Sequence, residues 1–181
     1  MPDWPVEAAQ PLPVFLSTIE DWVRKTGRLA DYTSAAFIDG AVSVPLIVRS
    51  TFTAKKLFCL NGAILVGNCQ MAIARSGVSP SFGPAPTSSI TLASIVAQAG
   101  ISVWQAFDIP DVILTPGLYY LRYGSDAITG QVQRLYAPTA NLGETCYLAG
   151  CWLGTYPLYG GSFFQGMFDG TVPILAVGGV A

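Results

Sequence analysis

Between Ile101 and Asp126 the chain reads ISVWQAFDIPDVILTPGLYYLRYGSD, and this stretch restricts the fold more than any other. Ile101, Val103, Gln105 and Phe107 alternate with Ser102, Trp104, Ala106 and Asp108, the period of two expected of a half-buried strand. The following DIPDVIL leads into Thr115-Pro116-Gly117, where proline presets a turn and glycine tolerates the positive φ that tight turns often need. Beyond the turn Tyr119, Leu121 and Tyr123 share one face, while Arg122 interrupts the apolar character of the other. Two strands meeting at a sharp corner are therefore expected, rich in the β-branched and aromatic residues that favour a pleated surface. Nothing in the stretch resembles a reactive centre.

The same period recurs on both sides. Val42, Val44, Leu46 and Val48 line one face of a strand whose Pro45 points to an edge position, because proline cannot donate to a ladder. Leu57–Leu60 and Ala63–Val66 flank Asn61-Gly62, a dipeptide that predicts a hairpin. Cys69, Met71 and Ile73 alternate with Gln70, Ala72 and Ala74 up to Ser76-Gly77, and a loop rich in Ser, Pro and Gly is expected over 78–89. Residues 90–99 fit a strand or a short helix equally well. Further strands are expected over 130–136, 144–150 and 171–177, with a Gly/aromatic region at 152–168. Many short strands with turn signals between them predict an all-β antiparallel two-sheet sandwich or jelly roll.

The first 39 residues differ from the rest. They hold Asp3, Glu7, Glu20, Asp21, Asp31 and Asp39, six of the eleven acids, so a boundary is expected between an arm (1–39) and a β domain (40–181). After Pro11-Leu12-Pro13 the spacing predicts a short amphipathic helix over Val14–Lys25, with Phe15, Ile19, Trp22 and Val23 on one side as a partner-binding face. Such a helix is marginal alone in water. It is expected to dock on its own domain or on a neighbouring subunit.

Charge narrows the function. Only 11% of residues are charged against 51% hydrophobic, where soluble domains average about 25% charged. The expected remedy is burial against copies of the chain or other proteins. A net charge of −2 with no basic stripe argues against nucleic-acid binding. The uncharged run Thr145–Phe168 is interrupted by glycines and Pro157, which argues against a membrane span, and the acidic, proline-rich first residues do not resemble a targeting peptide.

No histidine is present, so Ser–His, Cys–His and His–metal constellations are excluded. Asp108 and Asp111 look like turn residues around Ile109-Pro110, and with Asp126 they lack the spacing of a calcium loop. Cys59, Cys69, Cys146 and Cys151 do not match a zinc finger; buried thiols and disulfides both stay open. No enzyme activity, catalytic residue, metal or cofactor is expected.

Leu114-Thr115-Pro116-Gly117-Leu118-Tyr119-Tyr120-Leu121 resembles a turn-strand of small β-sandwich modules in tailed-phage structural proteins, and Gly67–Gly77 looks like an earlier strand of those modules. The pattern, over roughly 42–136, is also similar to carbohydrate-binding modules. The resemblance implies a non-catalytic structural protein on the phage virion surface, assembled in the host cytoplasm. It implies a homotrimer, attached by its arm to the major capsid protein or another virion component, as capsid decoration (cement). The alternative is a receptor- or glycan-binding module of a tail fibre or baseplate. For either role Trp152, Tyr156, Tyr159, Phe163 and Phe164 are the candidate interface or sugar-stacking residues, with core and interface filling as their plainer use.

Overall fold

The computed structural model describes residues 12–18, 32–36, 40–79, 83–127, 129–136, 152–154, 158, 164–165 and 171–181. Every regular element among them is a strand: β1 (Pro13–Ser17), β2 (Tyr32–Ala36), β3 (Gly40–Val48), β4 (Phe52–Leu60), β5 (Asn68–Ser79), β6 (Gly83–Leu92), β7 (Val96–Ala97), β8 (Trp104–Leu114), β9 (Gly117–Ser125), β10 (Gln131–Tyr136), β11 (Trp152–Gly154), β12 (Phe164–Gln165), β13 (Thr171–Pro173) and β14 (Leu175–Val180). A four-stranded sheet runs β1-β14-β4-β8, and a larger one runs β12-β11-β3-β9-β5-β6 with β7 beside β5. A small sheet, β13-β10-β2, adjoins them. The pairings are antiparallel, and the two main sheets form a sandwich.

The alternation read from the sequence fills the space between the sheets. Val42, Val44, Leu46 and Val48 of β3 and Tyr119, Leu121 and Tyr123 of β9 face Leu57 and Cys59 of β4, Phe107 and Ile109 of β8, and Leu175 and Val177 of β14. Burial of each large side chain contributes about 1.5–3 kcal/mol. The inward residues of β4 change parity, from Phe52 and Ala54 to Leu57 and Cys59. β8 changes at the same level, because Lys55 alone stands opposite Ile109, Pro110 and Asp111 in a bulge.

The larger sheet is covered on its other face as well. Tyr120 and Arg122 point away from the first core yet are fully buried, and Leu158 packs over Ala41, Ala72 and Leu92. The Leu158 N–H donates to Gln70 Oε1 (3.1 Å), and Arg122 Nη1 donates to Ser89 Oγ (2.6 Å) and more weakly to the Leu158 carbonyl (3.4 Å). Loss of water around the guanidinium lowers the Arg122 pKa to about 10.

Several expectations are corrected. Pro13–Ser17 is a strand, so the helix expected from Val14 does not begin there; Val14 and Leu16 pack on the core and Phe15 points out, a period of two. This strand pairs with β14, and β2 pairs with β10, so the two described segments N-terminal to residue 40 each pair with a strand from beyond it. Ile19, Trp22 and Val23 lie outside the described residues. Asn61-Gly62 makes no hairpin: β4 pairs with β14 and β8, whereas β5 pairs with β9, β6 and β7. The polar run expected as a loop is largely strand, the end of β5 and most of β6. β8 begins at Trp104 rather than Ile101, and Asp108 and Asp111 lie within it rather than in a turn. The expected strand at 144–150 lies outside the described residues.

Prolines lie in most of the outer strands among the described residues, Pro13 in β1, Pro110 in β8, Pro84 and Pro86 in β6 and Pro173 in β13, whereas β2 and β12 have none. The edge position expected from Pro45 is corrected: β3 lies between β11 and β9, although among the described residues β11 pairs with it only over Ala41–Ser43, short of Pro45.

Candidate functional site

Three rings meet on the outward face of the four-stranded sheet. Phe15 (β1), Phe58 (β4) and Trp104 (β8) come from three strands, with centroids 5.4 Å apart for Phe15–Phe58, 5.5 Å for Phe15–Trp104 and 6.4 Å for Phe58–Trp104. Both contacts of Trp104 are edge-on, a geometry in which the positive ring edge meets a negative face, contributing about 0.5–1.5 kcal/mol per pair. The register makes room for them. β14, which separates β1 from β4, presents the small residues Ala176 and Gly178 on this face beside the rings, Phe15 stands opposite Gly178, and Phe58 stands opposite Ala176 and Ala106. A methyl group on Gly178 would lie 2.9 Å from the Phe58 ring.

The cluster remains open to solvent: Phe15 is 51% exposed and Trp104 40%. It continues into the loops at one end of the sandwich, where Ile64, Val66, Ile101 and Val103 are also exposed. No charged residue occurs between Arg75 and Asp108, nor between Lys56 and Arg75. Two ion pairs border the apolar area on its far side, Lys56–Asp108 (2.8 Å) and Lys55–Asp111 (2.9 Å). Both are exposed and contribute little to stability.

The apolar loops are held by buried amides. The Asn61 side chain donates to Gln105 Oε1 (2.9 Å) and accepts from Gln98 Nε2 (3.0 Å) and from the Cys59 thiol (3.4 Å). Gln98 Nε2 also donates to the Gln131 carbonyl, and Gln105 Oε1 accepts the Ala99 N–H. The backbones of the two loops are joined by Asn61 N–H to the Val103 carbonyl and Ser102 N–H to the Gly62 carbonyl. Ser102 takes a positive φ of 54° to make that turn. A satisfied network of this kind makes an apolar loop rigid.

The sequence candidates fare unevenly. Phe15 belongs to the cluster, through contacts within the chain. Trp152 and Phe164 lie on the adjacent strands β11 and β12, with Trp152 opposite Gln165 and Phe164 opposite Leu153. Tyr156, Tyr159 and Phe163 lie outside the described residues. Asp108, Asp111 and Asp126 do not converge: the first two pair with lysines, and Asp126 accepts the backbone N–H (2.6 Å) and side-chain amide (2.9 Å) of Asn68, which lower its pKa. Among the described residues no group of three or more His, Cys, Asp or Glu side chains gathers. Cys59 and Cys69 are free, buried thiols, and Cys146 and Cys151 lie outside the described residues. Among the described residues no helix is long and apolar enough to cross a membrane. Sequence reasoning missed Phe58 and Trp104 as partners of Phe15; the available signal was the Ala176/Gly178 pair, too small to fill one face of its strand. Comparison with family models, with curated proteins and with solved structures finds no match.

Proposed function

We propose that this chain is a non-enzymatic structural subunit that assembles with copies of itself through the Phe15–Phe58–Trp104 surface. The observation carrying this reading is an aromatic cluster that is ordered by mutual ring contacts and yet left open to water. Exposed apolar patches of this kind mark interaction sites, and aromatic residues are enriched in interfaces. A second copy suits the surface because this face carries no charge at its centre, so copies that bring it together around a symmetry axis set no like charges against one another. In its specific form the proposal is a jelly-roll capsid-decoration protein of a tailed phage, trimeric and located on the virion. That form is supported by the resemblance of Leu114–Leu121 and by the scarcity of charge.

Sedimentation of the purified chain over a concentration series tests the assembly. A trimer is expected, reduced to monomer by Phe15→Ala combined with Trp104→Ala. A monomeric wild-type chain at tens of micromolar overturns the reading. Imaging of particles with and without the protein tests the virion location.

A further inference from the structure

The open edge of the sandwich between β6 and β8 holds a cleft of about 440 Å³, within the range of roughly 300–1,000 Å³ usual for small-molecule sites. Both of its walls leave regular pairing at this point. β8 bulges at Ile109–Asp111 opposite Lys55, and β6 carries extra residues opposite the Ile73–Ala74 and Ala74–Ser76 steps of β5. Bulges re-aim side chains and recur beside binding sites. Here they bring Ser89 and Thr91 of β6 to one cleft with Pro110, Asp111 and Val112 of β8.

We infer that this cleft binds a small neutral polyol with an apolar face, the chemistry of a pyranose ring. Thr91 is 9% exposed, and among the described residues its side chain makes no hydrogen bond, so one hydroxyl stands ready at the lining. Ser89, also at the lining, has its hydroxyl held by Arg122 Nη1 at 2.6 Å on the outward side of β6. Asp111 uses Oδ2 on Lys55 and keeps Oδ1 as an acceptor for a ligand hydroxyl. Pro110, Val112 and Ile90 supply the apolar wall against which ring C–H groups pack.

Other ligand classes fit less well. The Asp111 carboxylate repels an anion. A calcium ion needs six to eight oxygen ligands, whereas the lining has one carboxylate, already paired with a lysine. A wholly apolar ligand would strip water from the Thr91 and Ser89 hydroxyls and return no hydrogen bond. The inference does not depend on the assembly reading, since the cleft and the aromatic cluster use different residues.

Saturation-transfer NMR on the full chain, with the methyl glycosides of glucose, galactose, mannose and N-acetylglucosamine as probes, tests it. Transfer to the ring protons of at least one probe is expected, with millimolar affinity that weakens about tenfold or more in Thr91→Val and in Asp111→Asn. Asp111 is exposed, so its substitution reports on binding even if Thr91→Val fails to fold. Trp104→Ala should leave the transfer unchanged. Absence of transfer from all four probes, survival of binding in both cleft variants, or its loss in Trp104→Ala would each overturn the inference.

Discussion

The Tyr119 hydroxyl donates to the carbonyl of Thr115 (3.1 Å) and accepts the N–H of the same residue (3.2 Å), closing the corner where the chain leaves β8 for β9 in the opposite sheet. One phenol thereby satisfies both backbone groups of a residue that has left the ladder. Tyr119→Phe keeps the buried ring and removes both bonds. A loss of about 1–2 kcal/mol in urea unfolding is expected, with an unchanged far-ultraviolet spectrum. A loss within the noise of such measurements would show that ring packing alone holds the corner.

Asn61 should be more sensitive than its place in an expected turn implies. Its amide stands between Gln98 and Gln105, so Asn61→Ala removes one hydrogen bond from each of them, along with those to the Ala99 carbonyl and the Cys59 thiol, while Gln98 keeps the Gln131 carbonyl and Gln105 keeps the Ala99 N–H. A destabilisation of about 2–3 kcal/mol is expected, along with faster hydrogen exchange at the Ser102 N–H, which bonds to Gly62. Slow exchange in the variant would show that the loop backbone holds itself.

What the sequence disclosed depended on whether the cause was local. Tyr119, Leu121 and Tyr123 are inward and Arg122 outward because side chains alternate along a strand wherever it pairs. The turn chemistry of Thr115-Pro116-Gly117 is equally local. Asn61-Gly62 misled because a hairpin also needs its two flanks to prefer each other, and here β4 finds partners more than 40 residues away. β6 was hidden by prolines and serines that suit an outer strand paired on one side. The aromatic cluster depends on register among three strands, and the cleft on two bulges; neither leaves a mark in local composition.

Adjacent glycines in β14 should differ sharply. A methyl group at Gly179 would collide with the backbone of Thr53 and Ala54, which cannot move without breaking the β4 ladder. At Gly178 the obstacle is the Phe58 ring, which can tilt. Gly179→Ala is expected to cost more than about 3 kcal/mol, and Gly178→Ala about 1 kcal/mol or less, by thermal or urea unfolding. Equal effects would contradict the β14–β4 register.

Alkaline pH should weaken the fold before it affects anything else. Burial pushes the Cys69 thiol from 9.0 up to about 12, and it raises Cys59 and Tyr123 as well. All three groups release protons sooner in the unfolded chain, so their stabilisation is complete below about pH 9 and is lost as pH rises through the folded values. Arg122 acts in the opposite sense, but only above about 10, where its folded form begins to lose its proton before the unfolded one does. The urea midpoint should therefore fall between about pH 8 and pH 10. Iodoacetamide should leave Cys59 and Cys69 unlabelled in the native chain at neutral pH, mapped by mass spectrometry; rapid labelling would mean that the core opens there.

The prolines on β1, β6 and β8 bear on how these molecules can go wrong. A strand added at such a border would meet a position with no amide hydrogen, and the ladder would stop there. Fibril growth by stacking on these three borders is thus disfavoured, and crowded solutions should yield countable particles rather than ones that seed one another through β1, β6 or β8.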